Sequence, residues 1–124
     1  MRLIADLHIH SKYSRATSRD CVPEVLELWA RRKGIDLLGT GDFTHPVWRE
    51  ELREKLEPAE EGLYILKEAY RQEGPSARPR FVVTGEISSI YKKGGRVRKI
   101  HNLILLPGLD QAEALSRRLE AIGI

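Results

Sequence analysis

The sequence predicts an α/β domain built on parallel strands, with too few strands to close a barrel. Three observations point there. Short apolar runs alternate with stretches of helical periodicity, which is the β–α–β rhythm of a parallel sheet with right-handed crossovers. The apolar runs end in residues able to do chemistry, as strands of such sheets do at their carboxyl ends. Finally, the 124 residues supply fewer strands than a closed barrel needs. The expectation is one domain over residues 1–124, the first part of a larger domain or a compact remnant of one.

The elements follow in order. Arg2 to Leu7 alternates apolar and polar and reads as a strand leading into His8-Ile9-His10. A polar loop rich in hydroxyls and Arg follows, with Ser18 or Asp20 placed to cap the next helix and Pro23 suited to its first turn. Val22, Val25, Leu26, Leu28 and Trp29 form the stripe of that helix, and Gly34 stops it. IDLLGTG reads as a buried second strand. Residues 46–56 read as a charged helix and 59–72 as another. RFVVTGEIS is the clearest strand, its apolar run ending at Gly85-Glu86. SIYKKGGRVRKIHNLILLP predicts a strand, a Gly-Gly turn and a strand. DQAEALSRRLEAIG predicts the last helix. Trp29, Trp48 and Tyr64 are expected in or near the core.

Composition narrows the class. Charged residues at 31% and hydrophobic residues at 41% fit a globular chain and exclude an extended disordered one. No apolar run reaches the ~20 residues of a membrane span, and the N-terminus lacks a leader pattern. With the single Cys21, which excludes an internal disulfide, the expectation is a cytoplasmic protein without a membrane partner. Net charge is +3, and residues 92–99 concentrate it: Lys92, Lys93, Arg96, Arg98 and Lys99 have no acid among them. Such a run is either a solvated loop or a phosphate-binding surface.

The candidate site begins with His8 and His10. On a strand, residues two apart share a face with Cα atoms about 7 Å apart, so two imidazoles can meet one ion. Asp6 has the same parity. Asp42 and His45 follow the second strand, Glu86 ends the third, and His101 opens NLILLP beside Asn102. Glu86 offers two oxygens and could face two cations. Each residue also has a plainer reading: Glu86 as a helix cap or a partner for an Arg, His101 as a strand residue, Asp42 as a turn residue, His45 as a loop residue before Pro46. Arg15, in the hydroxyl-rich loop, could hold a phosphate or simply be solvated.

Four segments in order, ADLHIHSKYS, GIDLLGTGDFTHP, FVVTGEIS and KIHNLILLPG, resemble the PHP family of bacterial polymerase-associated and histidinol phosphatase domains. GTGDFTHP, EEGLYILK, EISSIYKKGGRVRKIHNLILLP and EALSRRLEAIG are similar to the N-terminal segment of its endonuclease Q group. The resemblance implies a distorted seven-stranded (β/α) barrel, incomplete at this length. It also implies divalent cations, zinc first and manganese or iron next, and hydrolysis of phosphate esters. In the endonuclease Q group the ester is a DNA phosphodiester beside a deaminated base or an abasic site, a DNA-repair reaction.

Carried over by position, His8 and His10 bind one metal, Glu86 bridges it to a second, and His101 helps to hold the second. Glu86 and His101 are thus the candidate catalytic pair. Arg15 and the basic run from Lys92 to Lys99 contact DNA, damaged or single-stranded. Two departures stand out. Phe43 occupies the place of a family His, with His45 two residues later, and the family's remaining His and final Asp-x-His have no counterpart here. The competing expectations are a non-catalytic module that binds metal or nucleic acid, and a phosphatase for a small phosphomonoester. An open barrel further implies self-association across its exposed edge.

Overall fold

The computed structural model describes residues 2–13 and 19–123. The chain runs β1 (Ala5–Asp6), α1 (Pro23–Lys33), β2 (Leu37–Gly39), α2 (Pro46–Lys55), β3 (Leu56–Pro58), β4 (Tyr64–Leu66), a 3-10 turn at Glu68–Tyr70, β5 (Arg80–Lys93), β6 (Arg96–Leu106) and α3 (Leu109–Ala121). The sheet has six strands in the order β1-β2-β5-β4-β3, with β6 paired to β5 off this path. The β1-β2-β5 portion is parallel, as the βαβ rhythm predicts.

Helix α1 carries its punctuation in the sequence. Pro23 opens it, Arg31, Arg32 and Lys33 face the negative end of the dipole, and Gly34 closes it at φ 73°. Its N-cap is Val22, with no side-chain cap, so Asp20 does not fill that role; Ser18 lies outside the described residues. Leu28 and Ala30 face the core. Trp29 does not: it is half exposed, with the Arg32 guanidinium 5.2 Å from its ring centroid. Each helical step turns the side chain about 100°, so Trp29 is carried away from the face that Leu28 buries.

The helix expected over 59–72 is instead a hairpin and a short turn. Leu56–Pro58 pairs antiparallel with Tyr64–Leu66, and Leu63 N–H donates to the Glu60 carbonyl across the reversal. Pro58 lacks a backbone N–H, and Gly62 takes φ 78°, so this stretch favours a turn over a continuous helix. The buried Leu56 and Leu66 then join Trp48, Leu52, Phe81 and Val83 in one core with Leu109 and Ala112 of α3. Tyr64 is half-buried at its rim, and its hydroxyl accepts the Leu109 N–H.

Strand β5 does not stop at Glu86. Its residues pair with β6 from Val83–Leu106 outward to Lys93–Arg96. Gly94 and Gly95, at φ 60° and 77°, form the two-residue turn such hairpins favour. From Ser88 to Leu103 every residue of this arm is exposed. Glu86 therefore sits where the strand leaves the buried sheet, in mid-strand. No helix among the described residues is long and apolar enough to cross a membrane.

Candidate metal centre

The site is assembled where β1 and β2 hand over to loops beside the middle of β5. β1 ends at Asp6, so His8 and His10 lie just past the strand rather than on it. The segment carrying them lies tightly against Gly39-Thr40-Gly41. A Cβ added at Gly39 would stand 2.4 Å from the Leu7 carbonyl oxygen, and one at Gly41 2.3 Å from that of Ile9. Only glycine permits that approach. Behind them the buried Thr40 and Thr84 lock β2 to β5: Gly41 N–H donates to Thr84 Oγ1 and Thr84 N–H to Thr40 Oγ1.

On this platform four chemical groups converge. His8 Nε2 lies 2.8 Å from Glu86 Oε2, and His10 Nε2 lies 3.6 Å from the same oxygen. His101 Nδ1 approaches the other oxygen, Oε1, at 2.6 Å and lies 2.8 Å from Ser88 Oγ. The carboxylate thus faces two histidines on one side and a third on the other. Donor atoms of His8, His10 and Glu86 all fall within 4.8 Å of one another. The hydrogen bond with His8 holds the Glu86 carboxyl below its usual range; partial desolvation opposes this, and charge on His8, His101 and His10 favours the lowering.

Asp42 braces His10 from the other side, with its Oδ1 3.6 Å from His10 Nδ1. It takes φ 49°, unusual outside glycine, and its Oδ2 accepts both the backbone N–H (2.8 Å) and the hydroxyl (2.5 Å) of the buried Ser11. His45 is occupied differently. It is the N-cap of α2, its Nδ1 accepting the Trp48 N–H at 3.2 Å, and its ring stacks on Tyr13. It is not one of the three residues whose donor atoms cluster. Phe43 is fully buried, and a Cβ at Gly85 would meet its ring at 2.3 Å. The aromatic ring therefore fills core where the resembling family has a ligand.

Strand parity sorts the basic residues. Paired residues share a face, so Glu86, Ser88, Ile90 and Lys92 of β5 lie on one side with Val97, Lys99, His101 and Leu103 of β6. Lys93, Arg96 and Arg98 lie on the other side, with Asn102. Arg15 lies outside the described residues. A groove of about 430 Å³ opens from Glu86 and Ser88 toward Thr44, Pro46, Ser116 and Leu119. Ser11 and Ser88 were not anticipated as site residues. Both had a signal: Ser88 shares parity with Glu86, and Ser11 directly follows His10.

Comparison with known proteins gives the geometry a setting. The chain is 28% identical to the lesion-specific endonuclease Q of Pyrococcus furiosus, with a TM-score of 0.71 over 96% of this chain and 26% of that one. This chain has an endonuclease Q-related fold. An endonuclease Q complex with a 27-mer duplex carrying an abasic lesion at the active site matches similarly, at 28% identity and a TM-score of 0.69, over 94% of this chain and 25% of that one. An uncharacterized protein of Methanocaldococcus jannaschii is 31% identical over 115 residues, 93% of this chain and 11% of that protein. The chain thus spans about a quarter of the solved endonucleases and about a tenth of the curated relative. No family model matches it.

Proposed function

We propose that this chain is the metal-binding segment of a PHP-type phosphoesterase that cuts DNA at deaminated or abasic positions. The observation that carries the reading is Glu86, whose two oxygens face separate imidazoles: His8 and His10 on one side, His101 on the other. The donor set fits divalent cations. Imidazole nitrogen and carboxylate oxygen suit zinc first, then manganese or iron. Donor atoms 2.8–3.6 Å apart also span the roughly 3.4 Å between neighbouring ligands of a tetrahedral ion.

In this reading His8, His10 and Glu86 hold one ion, and Glu86 and His101 hold a second. Bound cations supply Lewis-acid polarisation of the phosphoryl group and a water acidic enough to ionise near neutrality. The protein's own work is positional. Asp42, clamped by Ser11, fixes the side on which His10 lies, and Ser88 fixes His101. Lys99 and Lys92, on the Glu86 face of the arm, neutralise phosphates of a strand leaving the site. Lys93, Arg96 and Arg98 add general attraction from the opposite face. The β1 edge, with Leu3 and Ile4 exposed, is the surface a second copy would cover.

A second reading, a non-catalytic metal- or nucleic-acid-binding module, draws on one observation. The identified donors are three imidazoles and one carboxylate, few for two ions unless further ligands close the shells. Elemental analysis of the purified protein separates the two, with His8→Ala/His10→Ala as control. Two tightly held ions per chain, lost in the control, together with cleavage of an abasic duplex in preference to p-nitrophenyl phosphate, are the expected results. One ion or none and no cleavage would select the binding module. Faster turnover of the small ester would select a phosphatase.

A further inference from the structure

The arm formed by β5 and β6 carries positive charge on both of its faces. Lys92 and Lys99 lie on the face that holds Glu86; Lys93, Arg96 and Arg98 lie on the other. All five are exposed, and among the described residues none is in an ion pair. No acid occurs from Ile87 to Leu109. Near the tip Lys93 stands directly opposite Arg96. Like charges so placed weaken a hairpin, so this pair does not serve the ladder. Charges that only guard an exposed edge can be of either sign. A ribbon with one sign of charge on both faces fits a partner that is anionic on both sides of it at once.

A DNA duplex offers that arrangement, since each groove is walled by two phosphate backbones, one from each strand. A ribbon with its side chains is roughly 10 Å thick, the distance at which sheets stack. The major groove, about 12 Å wide, admits a two-stranded ribbon; the undistorted minor groove, at about 6 Å, is too narrow for it. The Glu86 face runs outward from the metal centre, so its lysines meet the strand held there. The other face is turned away from that strand. We propose that the arm lies in the major groove of a duplex, with Lys93, Arg96 and Arg98 on the backbone of the complementary strand. This deepens the DNA reading above and rests on it: three sources of general attraction become contacts to one particular strand.

The test is fluorescence anisotropy of a labelled, undamaged oligonucleotide, single-stranded or in a duplex, titrated with the full chain over a range of salt. Lys92→Ala/Lys99→Ala should lower the slope of log affinity against log salt on both forms, by about 1.8 on the duplex and about 1.4 on the single strand, two phosphate contacts in each case. Arg96→Ala/Arg98→Ala should lower it by about 1.8 on the duplex and leave it unchanged on the single strand. A duplex whose pyrimidines carry a bulky C5 group, which projects into the major groove, should abolish the difference between Arg96→Ala/Arg98→Ala and the parent. If Arg96→Ala/Arg98→Ala lowers the slope alike on both forms, or on neither, the groove placement is wrong, and the DNA reading, carried by the parent's own binding, stands. If its effect survives on the C5-filled duplex, the major groove is the wrong seat and the proposal falls. If the parent protein binds neither form, both readings fall together.

Discussion

Strand β5 passes through two different environments. Its first part, Phe81 to Gly85, is buried, paired with β2 and β4 at Phe81, with β2 at Val82, and with β6 from Val83 onward. Its last part, Ser88 to Lys93, is exposed and has β6 as its paired neighbour. The first part is fixed by packing: Phe81 and Val83 sit in the core, and Gly85 lies against the Phe43 ring. The second is fixed by a backbone ladder and a glycine turn. The comparison teaches that the carboxylate at the junction has its position set by the core and its reach set by the arm.

The largest effects should come from the buried side. Phe43→Ala should cost about 3–5 kcal/mol in urea unfolding, because the ring is fully buried and its cavity is walled by Gly85. A loss under 1 kcal/mol would mean that the junction is not held by packing. Glu86→Gln, at the boundary, should lower affinity for zinc by more than about 100-fold in calorimetric titration. That exceeds the 10–100-fold typical of outer-shell partners, because the change touches both candidate ion positions.

A smaller effect is expected at Glu51, under the Tyr13 loop. Burial pushes its carboxyl up, but hydrogen bonds from Lys12 and Lys55 outweigh that and hold it below the usual range. A carboxyl lowered by folding stabilises the protein above its unfolded pKa of about 4.5, and this contribution disappears as pH falls through the folded value. Glu51→Gln should therefore cost about 1 kcal/mol at pH 7. The gap from the parent should close below pH 4, read by thermal melting across that range. The smallest effects belong to the arm. Val97→Ala, exposed on β6, should change stability by no more than about 0.5 kcal/mol. Lys99→Ala should leave stability alone and lower the salt slope of DNA binding by roughly one.

Much of the parallel framework was legible because it rests on local signals. Pro23 and Gly34 punctuate α1, and Gly94-Gly95 marks the arm's turn. Convergence of His8, His10, Glu86 and His101 was legible only as a coincidence of strand ends; sheet order turned that coincidence into distances. The β3–β4 hairpin was missed because charged residues around Leu63–Leu66 imitate a helical pattern, while Pro58 and Gly62 carried the opposing signal. Trp29 was misplaced because a bulky apolar residue on a helix suggests burial, whereas it stays half exposed with the charges of Arg32 and Lys33 over its ring. His45 was ambiguous for a readable reason. A residue just before a proline that opens a helix is an N-cap position, and histidine is an uncommon occupant of it.

Glu86 and Lys92 belong to one unbroken strand. They are six positions apart, about 20 Å at roughly 3.3 Å per residue. With no joint in that span, the arm acts as a fixed gauge. Whatever lies along it meets the lysine at a set interval from the carboxylate, and lengthening the hairpin at its tip would leave that interval untouched.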